Sequence, residues 1–95
     1  MRFLKITYRF HAVRRMFERN ITELEVIEGL QAGKIVEDYP MDQPYPSRLI
    51  LGLVSGRPLH IVVADAMDVQ QTIVITVYEP DLEIWEPGFE VRRKS

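Results

Sequence analysis

The chain has no cysteine in its 95 residues, which excludes disulfides and thiolate metal sites and suits a cytoplasmic protein. No apolar run approaches the roughly 18 residues that a membrane-spanning helix requires, so no membrane association is expected. The opening Met1-Arg2-Phe3-Leu4-Lys5 leads into neither a long apolar segment nor a small-residue cleavage site, and no secretory leader is expected. The five glycines are scattered. They form no phosphate loop or dinucleotide fingerprint, and Gly29 and Gly33 read as helix punctuation. Asp38, Asp42, Asp65 and Asp68 fit no calcium loop, and no His-Glu-x-x-His pair occurs, so neither a metal nor another cofactor is expected. Ser47 and Ser55 sit in turn-like contexts without a nucleophile elbow.

Cations are scarce in the middle of the chain. Residues 35–90 hold only Arg48 and Arg57 against ten acids. Residues 1–34 hold seven Lys/Arg against four acids, and Arg92-Arg93-Lys94 adds three cations at the end. A net charge of -2 conceals this division. If the first helix and the tail meet, they form a basic surface suited to phosphate, whereas the acidic remainder argues against a broad grip on nucleic acid. Arg92 and Arg93 read either as a loose solubilising tail or as phosphate clamps. Arg48 reads either as a phosphate ligand or, more simply, as the partner of one of the many acids.

With 46% apolar and 27% charged residues, the chain is expected to fold as one domain over 1–95, with a short basic tail at 92–95. The spacing predicts a helix over 8–20 with Phe10, Val13, Met16 and Phe17 on its core side. Thr22-Glu23-Leu24-Glu25 is a capping box that starts a second helix, and Gly33 stops it. A short strand over 35–39 precedes a three-proline loop. Strands over 48–54 and 59–64 flank Ser55-Gly56 as a tight hairpin, and 72–78 is a further strand. There Ile73, Ile75 and Val77 should share one face, with Thr72, Val74, Thr76 and Tyr78 on the other. The fold class is therefore α+β, with two N-terminal helices packed on an antiparallel sheet of three to four strands. Pro80 and Pro87 make the stretch around Trp85 irregular, with Trp85 closing one end of the core.

Two histidines carry most of the chemical interest. His60 interrupts the apolar strand Leu59-His60-Ile61-Val62-Val63-Ala64, where it is either a hydrogen-bonded core group or part of a site. His11 and Arg15 are helix neighbours, able to exchange a proton and to grip a phosphate. RNA cleavage by 2′-hydroxyl attack needs a base, an acid and cations but no metal. His11, His60, Tyr78 and Arg15 could supply these roles if they converge, with Thr76 and Tyr78 beside His60. A purely structural role for each histidine is the alternative.

The segments His11-Ala12-Val13-Arg14-Arg15-Met16, Arg19-Asn20-Ile21 and Tyr45-Pro46-Ser47-Arg48 resemble motifs of the uncharacterised bacterial family known as domain of unknown function 4258. So do Pro58-Leu59-His60-Ile61-Val62-Val63, Ile75-Thr76-Val77-Tyr78-Glu79-Pro80, Trp85 and Arg92-Arg93. The resemblance spans nearly the whole chain. It implies a likeness to small toxin ribonucleases of the RelE and barnase type. It also implies catalytic roles for His11, Arg15, His60 and Tyr78, and substrate binding by Arg19, Thr76, Arg92 and Arg93. RNA is then the expected ligand. The competing expectations are a degenerate nuclease that binds without cutting, and an interaction module for a protein partner or a second copy through a sheet edge or apolar surface.

Overall fold

The computed structural model describes residues 5–94. The start Met1–Leu4, considered above for a leader, and Ser95 of the basic tail lie outside the described residues. The elements are β1 (Lys5–Tyr8), α1 (Phe10–Arg19), α2 (Glu23–Ala32), β2 (Lys34–Tyr39), β3 (Ser47–Val54), β4 (Arg57–Ala66) and β5 (Gln71–Tyr78). The strands form one sheet in the order β1-β5-β4-β3-β2. Two N-terminal helices on a sheet were expected and are present. The sheet has five strands rather than three or four, and it is mixed, because β1 runs parallel to β5. Four residues are too few to display a strand period, and this stretch merges into the apolar start of α1.

Local chemistry sets the element ends. The Thr22 hydroxyl accepts from the Glu25 amide at 3.1 Å, and the Glu25 carboxylate accepts from the Thr22 amide at 2.8 Å. This is the expected capping box. The Thr22 amide, chiefly, and Arg57 hold the Glu25 carboxyl below its ordinary range. Asn20 closes α1 in the left-handed region at φ 54°. Ser55 and Gly56 both take positive φ, 52° and 77°, the geometry that joins β3 to β4 in a two-residue hairpin.

Leu59, Ile61 and Val63 of β4 join Ile50, Val54, Val74 and Val77 in a core roofed by Ala12, Ile21 and Val26 of the helical layer. The face of β5 departs from simple alternation. The register shifts between Val62 and Val63, so Val74 and Val77, three apart, both enter this core. An extra residue reverses strand parity, which no alternation pattern can foresee. Tyr78, opposite His60, is thereby turned to the other face.

The orientation of α1 is also corrected. Phe10, Val13 and Phe17 are 81%, 50% and 87% exposed, while Ala12 is buried and Met16 packs beside it. The small Ala12 permits close approach to the sheet. The larger apolar side chains were expected to mark the buried arc, and they face outward instead.

The C-terminal segment folds across the face opposite the helices. Trp85 bridges Arg92, the Glu86 amide donates to the Val91 carbonyl at 2.8 Å, and the Arg93 amide donates to the Ile84 carbonyl at 2.8 Å. Trp85 is buried against His60. Arg92 binds Glu37 through two nitrogens at 2.8 and 3.1 Å and lies 4.5 Å from the Trp85 ring centre. The Arg93 guanidinium donates to the Leu82 carbonyl and pairs with Glu86. Neither arginine forms a loose tail: Arg92 ties this strap to β2 through Glu37, and Arg93 closes the strap on itself.

Candidate functional site

His60 occupies the centre of the strap-covered face and is fully buried. Its Nε2 lies 2.8 Å from the Phe89 carbonyl, and its Nδ1 lies 3.2 Å from the Tyr78 hydroxyl. A carbonyl can only accept, so Nε2 carries the proton. Burial pushes the imidazole below its usual value, partly opposed by the Phe89 bond and Glu37. The ring is therefore neutral near pH 7, and its bare Nδ1 accepts from Tyr78. The edges and faces of Trp85 and Tyr78 complete the enclosure, with ring centres at 4.4 and 5.3 Å. Both ring nitrogens are thus engaged within the chain, as in a satisfied core histidine.

His11 lies elsewhere. It is exposed on α1, which packs over the face of Leu59, Ile61 and Val63. His60 projects from the opposite side of the same strand. The sheet separates the two rings, and the convergence expected of them does not occur.

A different subset of the expected residues does come together. His11, Arg14, Arg15 and Glu18 line a groove of about 290 Å³. Arg15 and Arg19 line a neighbouring cleft of about 600 Å³ whose far wall includes Tyr78, Glu79, Asp81 and Phe89. Arg15 belongs to both, so the two concavities adjoin. His11, Arg15 and Arg19 recur every four residues and form one row on α1. Arg15 approaches Glu18 only at 4.0 Å, and Arg19 has no ion pair among the described residues.

The remaining candidates stand apart from this cleft. Thr76 pairs with Val62 across the sheet. Arg92 and Arg93 are committed to the strap, and the Glu37 carboxylate raises the Arg92 guanidinium further. Arg92 in turn lowers the Glu37 carboxyl, which also accepts from Tyr39. Arg48 pairs with Asp65 at 2.8 Å, the role expected of it. Sequence reasoning missed Glu37, Glu79, Asp81 and the Phe89 carbonyl. A backbone acceptor has no side-chain signature, and isolated acids in an acid-rich stretch carry no distinguishing pattern. Among the described residues no three His, Asp or Glu side chains gather as a metal site, and no helix is long and apolar enough to cross a membrane.

Comparison with curated proteins and with solved structures found no match. The family model described as Domain of unknown function (DUF4258) matches residues 8–79, a span that holds α1, the cleft-lining end of β5 and His60, and the chain belongs to that family.

Proposed function

We infer that this domain binds the sugar–phosphate backbone of RNA along α1 and the adjoining cleft, without cutting it. One observation carries this: His11, Arg15 and Arg19 form a continuous row with Tyr78 across two concavities that share Arg15. Guanidiniums suit phosphate oxygens, which they engage through paired donors. Glu79 and Asp81 in the same cleft limit the attraction, so binding is selective and modest. Cleavage would need both an acid and a base at one phosphate. His60 is neutral, buried and fully bonded, which leaves His11 as the sole accessible imidazole. On this view the domain is a non-cutting relative of the RelE and barnase type of ribonuclease, acting in the cytoplasm.

Binding of a single-stranded RNA, followed by fluorescence anisotropy, should weaken steeply between about 50 and 200 mM salt. Arg15→Ala with Arg19→Ala should weaken binding at least tenfold and reduce the log–log salt slope by about 0.7 for each phosphate no longer neutralised. Unchanged affinity in the double variant would reject the site. RNA cleavage in chelator that disappears with His11→Ala would overturn the non-cutting part.

A second function, protein docking, is favoured by a separate feature. Phe10, Val13 and Phe17 on α1 and Leu24 at the start of α2 are all at least half exposed, an unusual concentration of large apolar side chains on a soluble surface. If this face joins two copies, the sedimentation coefficient should rise with concentration, and Phe17→Ser should remove the rise. A constant value for the wild type would exclude self-association through it.

A further inference from the structure

We propose that this chain assembles head to tail, the exposed apolar face of α1 in one copy seating on the outer side of the C-terminal strap in the next. The inference rests on the docking face described above and names what covers it. The cover is a second, acidic apolar surface on the far side of the molecule, not the same face of a twin.

The strap has an outer side of definite composition. Trp85 and Arg92 pair across it and both turn inward, Trp85 against His60 and Arg92 toward Glu37. Side chains alternate along paired extended chain, so the adjoining Ile84 and Val91 turn outward, and each is more than half exposed. Leu82, half exposed, precedes them. Acids are interspersed with these apolar groups: Asp81, Glu83, Glu86 and Glu90 lie on the same segment. Glu86 is matched by Arg93 and Glu90 by Lys34. Asp81 and Glu83 meet no cation among the described residues. The outer side of the strap is thus apolar and net negative.

The face of α1 is its counterpart. Phe10, Val13 and Phe17 follow one another at helical spacings of three and four, and Arg14 adjoins both phenylalanines at the same spacings. Arg9, whose carbonyl accepts from the Val13 amide at 3.1 Å, adds a cation that meets no acid among the described residues. The single acid of α1, Glu18, is already held by Arg14 at 3.5 Å. Two α1 faces brought together about a two-fold axis would set arginine against arginine, because such an interface matches a surface with itself. Against the strap the same arginines meet carboxylates, and the phenylalanines meet Leu82, Ile84 and Val91. The helices and the strap lie on opposite faces of the sheet, so each added copy leaves one face of each kind free. Growth is then open-ended instead of closing at two.

Sedimentation of the wild type at rising concentration should give average masses above that of two copies. Phe17→Ser spoils the helix face, and Ile84→Ser combined with Val91→Ser spoils the strap face. Each variant should be monomeric, with an unchanged urea midpoint showing that it remains folded. Mixed in equal amounts, the two should pair one to one and stop there, because each pair holds a single sound face of either kind. Glu83→Lys, which removes no apolar group, should weaken association about two- to fivefold, the range of one exposed ion pair. Added salt should weaken the wild type in the same direction. Indifference to both would overturn the inference, as would failure of the two monomeric variants to pair on mixing. A strap variant that associates as the wild type does, while Phe17→Ser does not, would overturn it and keep self-association through α1. A wild type that stays monomeric throughout would remove the docking face and this inference together.

Discussion

His60→Ala should destabilise the fold by about 3 kcal/mol, measured by urea unfolding, which makes it one of the most costly single changes available. The substitution opens a void beneath Trp85 and leaves the Tyr78 hydroxyl and the Phe89 carbonyl without their shared partner. The strap loses its central anchor, though the Arg92–Glu37 pair remains. For a domain of this length each kcal/mol corresponds to roughly 4–8 °C in Tm. A loss of less than about 1 kcal/mol would contradict the structural role assigned to the imidazole.

The same residue gives stability a pH dependence of definite sign. Burial lowers the imidazole from its ordinary 6.5 in the folded state, while the unfolded chain protonates near that value. The unfolded state therefore takes up a proton first. The His60 contribution is complete above about pH 6.5 and is lost as pH falls from there toward the lower folded value. Glu25 and Glu37, both lowered, contribute above their ordinary 4.5 and lose that contribution as pH falls through their lower folded values. Urea midpoints should thus decline in two stages on acidification. His60→Phe should remove the upper stage and keep the lower one. An unaltered upper stage in that variant would assign it to a different group.

Gly52→Ala should cost about 2 kcal/mol, and Gly52→Val more, because the added carbon overpacks a filled space. Gly52 lies on the core face of β3, opposite Leu59, where α2 crosses. A Cβ there would stand 2.7 Å from the Gly29 Cα and 3.1 Å from its carbonyl oxygen. The obstacle is helix backbone, which cannot rotate aside like a flexible side chain. A Cβ on Gly29 would meet Ile61 Cδ1 at 2.8 Å, so the two glycines together set how closely α2 sits on the sheet. The urea midpoint should fall in Gly52→Ala while the two-stage pH profile of the wild type persists, because the His60 pocket lies on the other face. An unshifted midpoint would mean that α2 can lift without loss.

What could be read directly from the residues was local. Thr22 and Glu25 announced a helix start because a capping box is complete within four residues. Ser55-Gly56 announced a hairpin for the same reason, and β4 alternated as written, with His60 opposite the face of Leu59 and Ile61. Elsewhere local rules competed with distant partners. α1 turned its phenylalanines outward because Ala12 gave the closer fit to the sheet. β5 changed parity because a bulge arose from its pairing with β4. β1 existed only by virtue of a strand more than sixty residues away.

The sequence by itself determined the order of helices before strands, the helix cap, the hairpin and the pairing of His11 with Arg15 on one helix face, since each is read from neighbours within a few residues. The tertiary structure alone decided that His11 and His60 stand on opposite sides of the sheet, and that Arg92 fastens a strap which Arg93 closes on itself. It alone also decided that Tyr78 gives its proton to a buried ring. Those outcomes turn on strand register, on a carbonyl that fixes a tautomer, and on which surface a distant segment covers. None of these is a property of any short stretch of chain.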